Sequence, residues 1–328
     1  ASGVAINCNG LISMLKTNET ASDMLKSKEY LELISKTVLS DNVGPFSVIG
    51  HSRLMTNGRN SLNINNQPVN VDDLVGVHNG IIVNDDEIWA KLNDSGRSDL
   101  DTEALISLVS RYAHTSYNFE NSIANAFSLI EGNASIAVIS TRLKELYLAT
   151  NNGSLYVWTN NKLNISIFAS EEYILNKVIK KLGCKNSEFQ IQHIKPNHGH
   201  SISTTNLTEK CFALSSQMTQ MRVPPSSVNR ENCAQNVVDY SINDYPDPLS
   251  IKRCTKCVLP ETFPNITFDI DGVCNFCNSH EPMVYKSIDE LMSHLAPYRS
   301  NDGSPDCLVG LSGGRDSSYG IHLLKTKF

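Results

Sequence analysis

Two cysteine pairs place the tightest constraint on what this chain can fold into. Cys254-Thr255-Lys256-Cys257 and Cys274-Asn275-Phe276-Cys277 stand sixteen residues apart, and a two-residue gap lets both thiolates of a pair face one ion. Four thiolates close a tetrahedral site with no position left for water. The spacing therefore points to a structural metal, zinc, rather than a catalytic one. An iron–sulfur cluster is the other metal reading, and free thiols or disulfides are the metal-free one. Between the pairs, Thr267–Val273 reads as strand, turn and strand, which would bring the knuckles together. Nine cysteines is an odd number, and with four of them committed to a metal the count suits a reducing, cytoplasmic compartment better than a disulfide framework. Cys184, Cys211, Cys233 and Cys307 have no evident partners.

A second constraint lies near the C-terminus. The apolar run Cys307-Leu308-Val309-Gly310-Leu311 empties into Ser312-Gly313-Gly314-Arg315-Asp316-Ser317-Ser318. A short buried strand is expected over 307–311, with the helix after the loop barely begun at Ile321–Leu324. Two glycines let the backbone approach an anion closely, and N–H groups at a helix start bind it. The hydroxyls of Ser312, Ser317 and Ser318 can add donors, with Asp316 on the same turn. No GxxxxGK[ST] is present, so this is not a Walker loop; the plain alternative is a Gly-Ser turn. The string SGGRDS resembles the loop of the ATP pyrophosphatases (PP-loop enzymes), and that resemblance implies ATP binding with Mg²⁺. One strand and one helix bury no core, so residues 301–328 are expected to be the start of a longer domain.

Composition narrows the class. A chain of 328 residues, 40% hydrophobic and 19% charged, is globular and long enough for more than one core. The net charge of −6, without a Lys/Arg cluster, argues against a nucleic-acid partner. No apolar run approaches a membrane span and no signal peptide stands at the start. Short β-like runs (46–50, 135–139, 145–149) alternate with helical stretches near 20–38, 102–114 and 172–182. From Ser215 to about Ser250 the periodicity fails. The expected organisation is a domain over 1–212, a linker over 213–250, a cysteine segment over 251–300 and the loop region over 301–328.

Three motifs in the first domain carry chemistry. Gly50-His51-Ser52-Arg53-Leu54-Met55-Thr56-Asn57-Gly58 follows an apolar strand and presents a guanidinium fork suited to a carboxylate, with Thr56 as a further donor. Val75-Gly76-Val77-His78-Asn79-Gly80-Ile81-Ile82 runs from a strand into a turn, where the Asn79 amide and the Gly80 N–H can aim two donors at one oxygen. Ser98-Asp99-Leu100-Asp101-Thr102-Glu103 precedes a helix, and its acids can cap that helix or face a ligand amine. Taken singly, Arg53 could be a surface ion pair, Asn79-Gly80 a hairpin turn, and Asp99 or Asp101 an N-cap.

In this order the three motifs resemble the class II glutamine amidotransferase domain, the N-terminal-nucleophile glutaminase, over roughly residues 1–210. The resemblance implies a four-layered αββα sandwich within an α+β chain. It places Arg53 and Thr56 on the glutamine carboxylate, Asp101 on the α-amino group, and Asn79 with Gly80 in the oxyanion hole. Leu54 and Asn57 stand where the family often has Trp and His along the glutamine. The family's nucleophile is an N-terminal cysteine whose own α-amine handles the proton. Ala1 occupies that place here, so no glutaminase activity is expected of the sequence as it stands. Ser2 is the weaker candidate because an alanine separates it from the amine.

The segment 251–328 resembles the start of the N-acetyl sugar amidotransferases of bacterial surface-polysaccharide pathways, relatives of asparagine synthetase. Together the resemblances imply an enzyme that takes ammonia from glutamine and delivers it to a carbonyl adenylated by ATP, with an N-acetyl sugar as acceptor. The alternatives are an asparagine-synthetase-type enzyme acting on a carboxylate, and a glutaminase-dead glutamine-binding or assembly module. Homo-oligomer formation is left open.

Overall fold

The structure, a computed structural model, describes residues 1–40, 44–52, 63–116, 118–184, 190–214, 223–224, 236–241, 251–261, 263, 265–282 and 287–327. The chain divides into two compact units, Ala1–Tyr245 and Pro246–Phe328.

Unit one is built on a hairpin. Strands β1 (Ser2–Cys8) and β2 (Leu11–Thr17) pair antiparallel with Cys8 opposite Leu11. Asn9 (φ 53°) and Gly10 (φ 83°) form the two-residue turn between them, the left-handed pair that matches strand twist. The other edge of β1 carries β3 (Phe46–Ser52), with Ser2 opposite Ser52. Helices α1 (Ala21–Met24) and α2 (Lys28–Lys36) follow the hairpin. The N-caps Thr20 and Ser27 split the expected 20–38 helix into these two pieces, each cap accepting a backbone N–H.

A six-stranded sheet faces this one, ordered β12-β11-β7-β6-β5-β4. Its members are β4 (Val69–Val71), β5 (Leu74–Ile82), β6 (Gly132–Ser140), β7 (Glu145–Thr150), β11 (His198–Ser203) and β12 (Glu209–Ala213). Helices α3 (Asp85–Leu92), α4 (Asp101–Ala113) and α5 (Phe119–Phe127) cover its outer side. A smaller sheet of β8 (Tyr156–Asn160), β9 (Ile165–Ala169) and β10 (Gln192–His193) carries α6 (Glu172–Lys181).

Strand alternation sorts side chains between layers. Val4 and Ile6 of β1 pack on Met24 and Leu33 beneath α1 and α2. On its opposite face, Ala5 joins Ile49, Val75, Val77, Ala137 and Leu148 between the sheets. Ile136 and Val138 pack outward on Leu105, Ile106 and Val109 of α4. In β8, Val157 points to the inter-sheet core while the fully buried Trp158 packs on Leu175 and Ile179 of α6. The sequence of layers is helix, sheet, sheet, helix.

The structure differs from the sequence expectation over 213–250. Val237–Asp239 forms β13, which runs parallel to β2 as an edge strand, Val238 opposite Ser13. Its three residues gain a ladder from a partner more than two hundred positions earlier, and so short a strand has no periodicity of its own.

Unit two contains α7 (Asn275–Asn278), α8 (Ile288–Leu295) and α9 (Arg315–Lys327). The strand expected over 307–311 is not formed: Leu308 is fully exposed and Leu311 largely so. A buried parallel strand needs neighbours on both edges, and no described strand flanks this run. The helix after the loop starts earlier than expected, at Arg315. A single bridge, Phe268 with Cys274, takes the place of the strands expected within 267–273, and another joins Arg253 to Pro260 in the first knuckle.

Candidate active site

Asn79 and Gly80 lie inside β5 rather than in a turn. Asn79 faces Ser135 and Gly80 faces Ala134 across the ladder. Gly80 has φ +146°, and a Cβ there would sit 1.9 Å from the Asn133 carbonyl oxygen, so only glycine lets the two backbones approach this closely. The motif's glycine thus serves strand geometry, which a hairpin reading of Asn-Gly did not foresee.

The residue before them is clamped. The Gln67 side chain accepts a hydrogen bond from the His78 N–H at 2.6 Å and donates one to the His78 carbonyl at 2.9 Å, substituting for a missing ladder strand. The Gln67 carbonyl also presses on β1, since a Cβ at Gly3 would lie 2.2 Å from its oxygen. Gln67 therefore links the first strand to the Asn79 strand, a role that its sequence context alone did not signal. The His78 ring is buried, with Nδ1 3.3 Å from Thr102 Oγ1 and Nε2 3.4 Å from the Asn133 carbonyl.

Asp101 is the first residue of α4, not its N-cap; Leu100 holds that place without a side-chain cap. One Asp101 oxygen accepts the Ile82 N–H and the other the Thr102 N–H, at 2.9 and 2.8 Å, and His78 Nδ1 stands 3.7 Å away. Burial pushes the carboxyl up, but the His78 hydrogen bond and charge and the two N–H groups outweigh it and hold Asp101 below the ordinary range. Asp99 instead pairs reciprocally with Asn65. Glu103 accepts from Arg97 N and Nε and from Ser98 N and Oγ, tying down the loop into α4.

At the N-terminus, β1 alternation puts residue 1 on the face of Gly3 and Ala5, toward β5. The Ser2 hydroxyl is on the other face, donating to the Glu19 carbonyl and touching the Met24 sulfur. It is buried away from Asn79 and cannot act as a nucleophile there. On the Gly3 face, Lys16 stands opposite Gly3 and is buried; desolvation pushes its ammonium below the usual lysine range, with Asp239 and Glu103 opposing and Arg97 adding. A cavity of about 1090 Å³ joins His51 and Ser52 at the end of β3 to His78, Asn79 and Ser135. Arg53, Leu54, Thr56 and Asn57 lie outside the described residues, one to five positions past Ser52.

In unit two, the Sγ atoms of Cys254, Cys257, Cys274 and Cys277 all lie within 4.8 Å of one another. The glycine loop folds onto its own helix: Ser312 N and Oγ lie 3.3 and 3.1 Å from Ser317 Oγ, which donates to the Gly314 carbonyl at 3.0 Å. Gly313 has φ +78°, and Asp316 is fully exposed beside Arg315.

Residues 51–177 match the family model of the glutamine amidotransferase domain. Glutamine–fructose-6-phosphate aminotransferase (isomerizing) of Thermococcus kodakarensis is 34% identical over 112 residues, 33% of this chain and 19% of that protein. Its counterpart from Pyrococcus horikoshii is 29% identical over 162 residues, 48% of this chain and 25% of that protein. The chain thus spans a quarter or less of the length of these relatives. Among solved structures, the allosteric regulatory enzyme of purine biosynthesis superposes with a TM-score of 0.51 at 19% identity, over 66% of this chain and 43% of that one. Residues 51–177 of unit one are thus similar to a glutamine amidotransferase domain, and the fold of unit one is similar to that of the purine-biosynthesis enzyme.

Proposed function

We propose that unit one is the ammonia-supplying half of a glutamine-dependent amidotransferase. The observation that carries this reading is the end of β5. There Asn79 lines the cavity that reaches Ser52, Gly80 follows it in the strand, and the Asp101 carboxylate accepts the Ile82 N–H, two residues further along. In this reading Arg53 and Thr56 take the glutamine carboxylate and Asp101 its ammonium. A thiol at position 1 attacks the γ-carbonyl carbon while its proton passes through the α-amine to the departing ammonia. Asn79 Nδ2 and Gly80 N–H stabilise the oxyanion. Water then cleaves the thioester to glutamate and restores the thiol.

Ala1 offers a methyl group where that sulfur belongs, and Ser2 faces away. Neither Ala1 nor Ser2 carries a thiol, and this favours a second reading as a glutamine-binding module. For unit two we propose that Ser312, Gly313, Gly314, Asp316, Ser317 and Ser318 begin a site for ATP with Mg²⁺, at which an acceptor carbonyl is adenylated. An N-acetyl sugar acetamido group is the favoured acceptor and a carboxylate the alternative. Support for this half is the glycine pair at the N-terminus of α9 and the cysteine pairs before it.

The test is to install the thiol. Ala1→Cys with a free N-terminus should release ammonia from glutamine, and adding Asn79→Ala should slow it by about 10²–10³-fold. A correctly processed Ala1→Cys protein that binds glutamine yet releases no ammonia would sink the enzyme reading and leave the binding module.

A further inference from the structure

We propose that Cys254, Cys257, Cys274 and Cys277 enclose one tetrahedral zinc ion, and that this ion takes the place of a hydrophobic core in the segment 251–279. Sulfur geometry comes first. Thiolates about 2.3 Å from a shared zinc lie roughly 3.8 Å apart along each tetrahedral edge. Cys254 to Cys277 measures 3.9 Å and Cys257 to Cys274 measures 3.6 Å, with all four sulfurs inside 4.8 Å. A disulfide would need about 2 Å. An iron–sulfur cluster would place several irons and sulfides among these atoms, and the space between them suits one ion.

The backbone is arranged around charged sulfur. Cys254 Sγ accepts N–H groups from Lys256, Cys257 and Cys274 at 3.4, 3.4 and 3.2 Å, the kind of outer-sphere bonding that orients a metal-bound thiolate. Val258, immediately after the first pair, has φ +67°. A β-branched residue avoids that region unless its surroundings impose it. Opposite, Asp269 accepts the Asp271 and Val273 N–H groups and the Asn278 amide. Thr255 N donates to Gly272 O, closing one knuckle on the other.

The last observation is what this segment lacks. Among the described residues of unit two, the only buried apolar side chains are Cys254 and Cys274, the two sulfurs at its centre. Phe263 and Phe276 meet edge to face at 5.4 Å but stay part exposed. Chain entropy has to be offset by something other than apolar burial, and metal binding that couples to folding supplies it.

The experiment uses the full chain. Elemental analysis should give one zinc per chain, and cobalt exchanged into the site should show the visible bands of a tetrahedral thiolate complex. A strong chelator should then make 251–279 cleavable by protease and all four thiols reactive. Cys254→Ser should lose the zinc; if that variant fails to accumulate, cobalt exchange in the unaltered chain decides alone. A metal-free protein protected over 251–279, a two- or four-iron stoichiometry, or an octahedral cobalt spectrum would overturn the proposal. None of these readouts depends on glutamine chemistry.

Discussion

Asp101, proposed to take the glutamine ammonium, is also engaged by its own fold. Its carboxylate is committed to the Ile82 and Thr102 N–H groups and to His78, and its pKa is held below the ordinary aspartate value. A depressed pKa adds stability that is present above the unfolded value, near 4, and is lost as pH falls through the lower folded value. Urea midpoints of the unaltered chain and Asp101→Asn should therefore differ most above about pH 4 and converge in stronger acid. Equal midpoints at pH 6 would show that the charge contributes nothing. The motif drew attention to Asp101, but its bond to a backbone nineteen residues away was not legible, because no local pattern encodes it.

Between elements, the decisive link is the Gln67 clamp. It lies ahead of β4, grips His78 of β5 by both backbone groups and abuts Gly3 of β1. Gln67→Leu leaves a buried N–H and a buried carbonyl unpaired, which costs about 1–3 kcal/mol for each group. Chemical denaturation should show a loss of about 2–6 kcal/mol. In the Ala1→Cys background the same change should lower ammonia release by more than it lowers glutamine affinity, because the oxyanion donors adjoin the clamp. An unaltered turnover would make Gln67 a packing residue only. Helix stretches were legible from 3.6-residue periodicity and held near 102–114 and 172–182, whereas the strand expected at 307–311 needed partners that no described residue provides.

At the level of the whole molecule, the two units rest on different forces. Unit one has four apolar clusters; unit two has sulfur. Both tryptophans, Trp89 and Trp158, belong to unit one, so their fluorescence reports on that unit alone. Chelating the metal should leave the tryptophan unfolding transition in place while the 251–279 segment opens to protease. A shifted tryptophan transition would show that the metal supports unit one as well. No described helix is long and apolar enough to cross a membrane.

The sequence by itself determined what depends on neighbouring residues: the cysteine spacing, the helical stretches, and the residue types of the three motifs in the first domain. Tertiary structure decided what depends on distant ones. It turned Ser2 away from β5 and residue 1 toward it, returned Val237–Asp239 to the edge of β2, and kept Asn79-Gly80 within a strand instead of a turn. Each of these outcomes is set by which face of a strand meets which sheet. Alternation allows either face, and only packing between segments far apart in the chain selects one.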